Sequence, residues 1–160
     1  MSANRKKNRS AGRAPDRRPL SRELLLPLRP MRARALSLEH HLALVALRTG
    51  QASVDVIARL FNAIEAARFL HEATQGRATP EQQHFEQAWR ALIACANHLR
   101  EGECAVMSEA DFACLEKLAL LHDEQLATTP VHQLLAARQR LGRWLDHVAL
   151  CDRPSDDPAA

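Results

Sequence analysis

The chain has 160 residues, 46% of them hydrophobic and only 4% aromatic, with a formal net charge of +3. That length fits one domain with a tail, and the lack of any run near ~18 apolar residues excludes a membrane-spanning chain. The net charge conceals a split near residue 35: residues 1–34 carry eleven Lys and Arg against two acids, a net +9, and the remaining 126 carry eleven against seventeen, a net −6.

Residues 1–19 offer Arg, Lys, Asn, Ser, Pro and Gly and, apart from Met1, no large apolar side chain. Nothing there can offset the entropy of ordering, so a disordered basic arm is expected over residues 1–34. A short turn at Ser21-Arg-Glu-Leu could carry Leu24, Leu25 and Leu28 across the body as a strap near 21–28. Pro27 and Pro30 keep it from becoming a long helix.

The body, expected over 35–150, is rich in Leu, Ala, Glu, Gln and Arg, which favour helix, and has no Tyr and few β-branched residues. Ser37 and Gly50 bracket a first helix of roughly eleven residues by the cap and stop rules. Ser53 opens a second that runs to about Gln75, with Ile57, Leu60, Phe61, Ile64, Ala67 and Leu70 at helical spacing. Thr79-Pro80-Glu81-Gln82 reads as a capped start with Pro at N1 and a Gln reaching back. Phe85, Trp89, Leu92, Ala96 and Leu99 continue that third helix to Gly102, which places Trp89 in the core. Ser108-Glu-Ala-Asp111 starts a fourth, carrying Phe112, Leu115, Leu118, Ala119 and Leu126. Thr129-Pro130 starts a fifth, carrying Val131, Leu134, Leu135, Leu141, Leu145 and Val148. The acidic segment 151–160 should fray. Short loops between such helices predict an all-α fold, a compact bundle of about five helices.

The basic arm is the strongest functional feature of the chain. Guanidinium and ammonium groups pair with phosphate oxygens and release condensed counterions, so Arg5, Lys6, Lys7, Arg9, Arg13, Arg17, Arg18 and Arg22 are the candidate nucleic-acid-binding residues. The arm has no aromatic residue to stack on bases, so affinity without sequence discrimination is expected. Arg138, Arg140 and Arg143 with Trp144 form the only basic cluster of the body. They are a possible secondary patch, against the plainer reading of a peripheral core Trp beside solvated arginines.

Other sites read poorly. The window from Val45 through Gly50 to Val56 has helix-turn-helix offsets. It also puts Thr49, Gln51 and Arg59 where such units bury apolar side chains, so Gly50 reads as an ordinary helix stop. Cys95 and His98 share a helix face with Cys104 nearby, but no second pair completes a zinc spacing, and no metal site or cofactor is expected. There is no Gly-rich phosphate loop, Gly-x-Ser-x-Gly or His-Glu-x-x-His, and His122-Asp123 are neighbours that do not face each other on a helix, so no enzyme is expected. With no export signal in the first nineteen residues, Cys95, Cys104, Cys114 and Cys151 read as reduced thiols of a cytoplasmic protein.

The opening Arg5-Lys6-Lys7-Asn8-Arg9, an Arg-Pro stretch, Leu-Val-Ala-Leu-Arg-Thr-Gly-Gln at 44–51 and Asn62-Ala-Ile-Glu-Ala-Ala67 carry a resemblance. Over residues 4–140 the chain resembles a group of small helical proteins, without known activity, from proteobacterial plasmids, integrated elements and phages. Its arm is longer and richer in Arg than theirs. The resemblance supplies no catalytic or binding residue and implies a bacterial accessory protein of a mobile element. Three partner expectations follow: nucleic acid on the arm, an acidic protein surface on the arm, or a homodimer that hides an apolar stripe. No membrane partner is expected.

Overall fold

The structure, a computed structural model, describes residues 19–77 and 79–151, the last four by backbone alone. The arm over 1–18 and the tail from 152 lie outside the described residues. The chain folds as six α-helices: α1 (Arg22–Leu25), α2 (Pro30–Arg48), α3 (Val54–Gln75), α4 (Glu81–Arg100), α5 (Glu109–Thr128) and α6 (Val131–Cys151). There is no strand among the described residues, and no described helix is long and apolar enough to cross a membrane.

α3 is the axis of the bundle and packs against α2, α4, α5 and α6, while α5 closes the ring by packing on α2 and α4. Its sequence explains the placement: Ile57, Leu60, Ile64 and Ala67 are buried on one side, and Phe69 and Leu70 continue toward the other end. Two clusters result. The larger joins Leu44 and Leu47 of α2, Leu60 and Ile64 of α3, Phe85 and Leu92 of α4, and Leu115 and Leu118 of α5. The smaller joins Ala33, Phe69, Leu70, Leu126, Leu134, Ala137 and Leu141. Burial of a large apolar side chain contributes about 1.5–3 kcal/mol.

The helix ends follow local chemistry. Ser53 Oγ accepts from the Val56 amide at 3.3 Å, and Ser108 Oγ accepts from the Asp111 amide at 3.1 Å. After α2, Gly50 takes φ +71° and the Gln51 amide donates to the Ala46 carbonyl at 2.8 Å, a Schellman closure that a side chain would strain. Thr49, Gln51 and Arg59 are exposed, as an ordinary stop requires.

Two starts differ from expectation. α2 begins at Pro30, with Ser37 in its interior rather than at its N-cap. Pro30 supplies a preset φ and lacks an N–H that the first turn cannot use, so the proline that ends the strap also opens the next helix. Arg32 and Arg34 therefore belong to the folded body. At α4, the Thr79 hydroxyl engages His71 Nε2 at 2.8 Å instead of capping, and Gln82 Oε1 has no partner, so the reciprocal cap does not form.

α1 lies against α6. The Val131 amide donates to the Leu26 carbonyl at 2.9 Å, His132 Nδ1 meets the Leu24 carbonyl at 2.9 Å, and Pro27 bridges Pro130. These contacts use amides and carbonyls that a short helix and a helix start leave unpaired.

Candidate functional site: a groove of arginines and aromatic rings

α4 and α6 both pack on α3 but barely touch each other. The space between them is a groove along α3, formed by two adjoining cavities of about 410 and about 370 Å³ that share Arg68, Gln82 and Trp144. Its floor is set by α3 at helical spacing: Glu65, Arg68, Phe69 and Glu72. Phe85, Trp89 and Arg90 of α4 form one wall, and Arg140 and Trp144 of α6 the other.

Arg68 organises the floor. Its Nε and Nη2 donate to Glu65 Oε2 at 3.0 and 2.6 Å, and its Nη1 donates to Glu72 Oε1 at 2.7 Å. Glu72 Oε2 accepts from Arg140 Nη2 at 2.8 Å and has Arg77 Nε at 3.5 Å. Burial works against the Arg68 charge, but hydrogen bonds and charges of Glu65 and Glu72 outweigh it and raise the guanidinium pKa above its ordinary value. The Glu65 and Glu72 side chains are only 3% and 5% exposed, so these arginines take the place of water around the carboxylates. The guanidinium carbons of Arg68 and Arg140 also sit 4.6 and 4.3 Å from the centre of the Phe69 ring.

The aromatic part lies one turn further along. Phe61 stacks on Trp144 at 5.8 Å between ring centres and meets Trp89 at 6.5 Å. Trp89 is therefore not the core residue the stripe suggested: it is 38% exposed, because α4 and α6 stay apart above it. Such a groove can take a planar or apolar group beside Trp89 and Trp144, with arginine N–H groups at one end for an anion. Trp and Arg are the residues that most often anchor partners.

Of the candidate binding residues, Arg5, Lys6, Lys7, Arg9, Arg13, Arg17 and Arg18 lie outside the described residues. Arg22 is exposed on α1, and Arg29, Arg32 and Arg34 are exposed around the start of α2. The secondary patch divides: Arg140 and Trp144 line the groove, while Arg138 and Arg143 are exposed on α6. The Cys95 thiol is buried and approaches the Val106 carbonyl at 3.6 Å, whereas Cys104 is exposed. Among the described residues no group of three or more His, Cys, Asp or Glu is placed to hold a metal ion.

Sequence reasoning missed the floor of this groove. The signal was present: Glu65 lies four residues after Phe61 and four before Phe69, so a carboxylate occupies the apolar side of α3 and demands a cation. Neither a family model, nor a curated protein, nor a solved structure matches this chain.

Proposed function

We propose that this chain is a non-enzymatic accessory protein that binds nucleic acid, largely through its basic N-terminal arm. The observation that carries the reading is the concentration of a net +9 in residues 1–34 on a body of −6. Exposed Arg22, Arg29, Arg32 and Arg34 extend the same charge onto the first two helices, which supports a continuous basic path from arm to body. Contacts of this type recognise phosphate and not base sequence.

The test is fluorescence anisotropy of duplex DNA, single-stranded DNA and RNA over a salt series. It compares the full chain with a truncation beginning at Pro19, which keeps α1 and α2 whole. With about six phosphate contacts, the log–log salt slope on duplex DNA is about −5, and the truncation removes most of the affinity. No binding by the full chain at low salt overturns the proposal.

A second reading, a protein–protein adaptor or inhibitor whose arm docks an acidic protein surface, is supported by the groove. Two tryptophans and several arginines around one cleft suit an inserted peptide. Unrelated DNA or RNA competes with the partner in the first reading and not in the second.

A further inference from the structure

The apolar residues of α2 fall on two opposite sides. The inner side holds Ala33, Ala43, Leu44 and Leu47, all buried. The outer side holds Met31, Leu38, Leu42 and Val45, which are 85%, 59%, 58% and 57% exposed. With Ala35 and Thr49, the outer residues alternate at steps of four and three along the whole helix. That is the a/d seam of a helix that pairs with another helix, and a solvated surface face does not need it.

The seam is continued on α5. Glu116 and Asp123, one turn either side of Leu120, reach Arg48 at 3.7 Å and His41 at 2.8 Å on α2. Leu120 itself is 59% exposed and lies on the face of α5 that carries both charge pairs. A contiguous apolar surface of this kind marks an interaction site more often than a bare face.

The two segments that flank the described residues offer it little apolar cover. Residues 1–18 contain no large apolar side chain apart from Met1, and residues 152–160 contain none. The charges at the rim instead describe a second copy. At the Val45 end, Arg48 is shared by Glu109 and Glu116, which leaves one negative charge in excess. At the Met31 end, Arg32 and Arg34 are exposed and make no ion pair among the described residues. Opposite ends of one helix therefore carry opposite excess charge, and an antiparallel pairing brings them together. A parallel pairing would set like charge against like.

We propose that the chain forms a homodimer through antiparallel pairing of α2 with α2 of a second copy. The two-fold axis crosses the helix pair at the level of residue 40, with Leu38 opposite Leu42, Ala35 opposite Val45, and Met31 opposite Thr49 of the other copy. Arg34 of each copy approaches the Glu109–Glu116 pair of the other. The interface is isologous, so it closes on itself without forming filaments. It does not depend on the nucleic-acid reading.

The test is sedimentation equilibrium of the full chain from about 1 to about 200 µM, a range suited to an interface at the small end of the size scale. The wild type passes from monomer to dimer within it. A Leu38→Glu/Leu42→Glu variant stays monomeric, Leu135→Glu on α6 dimerises like wild type, and Arg34→Glu raises the dimer dissociation constant about fivefold or more. Circular dichroism checks that each variant keeps its helix content. If the double variant does not fold, Arg34→Glu at low and high salt decides alone, and its failure to weaken the dimer overturns the pairing. A wild type that is monomeric throughout, or a dimer indifferent to the folded double variant, also overturns it.

Discussion

His40 of α2 and His122 of α5 face each other inside the bundle with ring centres 5.3 Å apart. Gln125 fixes the tautomer of one of them. Its amide nitrogen donates to the Ala67 carbonyl at 3.1 Å, so its oxygen is left to accept from His122 Nδ1–H at 3.1 Å. His40 Nδ1 is buried without a partner.

Protonating either ring is therefore unfavourable. Burial first, and then the neighbouring His122, lower the His40 pKa from 6.5 to about 4, with Asp123 opposing and His41 and Arg59 adding to the fall. Burial lowers His122 as well. In the unfolded chain both rings take up protons below about pH 6.5, while in the folded chain His40 stays neutral down to about pH 4. The unfolded state then binds more protons, so stability is full above pH 6.5 and is lost as pH falls toward 4. Allowing for solvent screening of a partly exposed ring, His40 contributes about 1–2 kcal/mol to that loss. Urea unfolding at pH 7 and pH 5 checks this, with His40→Gln expected to flatten the difference. An identical pH dependence in the variant rules the ring out as the cause.

The Arg68 fork makes a second prediction. Replacing Arg68 with Met leaves Glu65 without its cation in a site where its side chain is 3% exposed. Removing one partner of a buried ion pair costs about 3–5 kcal/mol, because the remaining charge is uncompensated. Glu72 keeps Arg140, so the lower part of that range applies. A double variant, Arg68→Met with Glu65→Leu, recovers most of the loss, and a denaturant-unfolding cycle measures it. Equal instability of single and double variants counts against the pairing.

The helices were legible because their ends carry explicit chemistry. Ser53 and Ser108 cap, Gly50, Gly76 and Gly102 take positive φ, and the stripes between them are regular. The start of α2 was not legible, because Pro30 serves equally as a stop for the strap and as the first residue of a new helix. The groove was harder still. A stripe says which face of α4 is apolar but not where a neighbouring helix ends its contact, so Trp89 read as core. Glu65, Arg68 and Glu72 lie close in sequence and pair locally, but Arg140 joins them from 68 residues away, a contact only the packing reveals.

Thiol reactivity separates the cysteines. Burial raises the thiol pKa of both Cys95 and Cys114, whose sulfurs approach the Val106 and His84 carbonyls. Thiolate is the reacting form, so both react slowly in the folded protein, whereas exposed Cys104 reacts at once. In a Cys151→Ser background, a chromogenic disulfide reagent at pH 8 should titrate one thiol rapidly and the other two only on denaturant addition. Three fast thiols would mean that the α4–α5 packing opens readily in solution.

Phe61 provides the last prediction, since one ring supports both tryptophans of the groove. It stacks on Trp144 with an interplanar angle of 26° and meets Trp89 at 52°. Truncation to Ala removes a half-buried ring and two aromatic contacts, each worth about 0.5–1.5 kcal/mol beyond area burial. A total loss of about 2–4 kcal/mol results, at the lower side of fully buried Phe→Ala changes. The indole rings also gain solvent, so tryptophan emission shifts to the red in the folded variant. Phe61→Leu restores much of the volume but not the ring contacts, and recovers part of the stability. The groove reading requires the emission to move under native conditions, before any global unfolding. A stability loss with unchanged emission would place both indoles away from Phe61, and the aromatic part of the groove would then not exist as described.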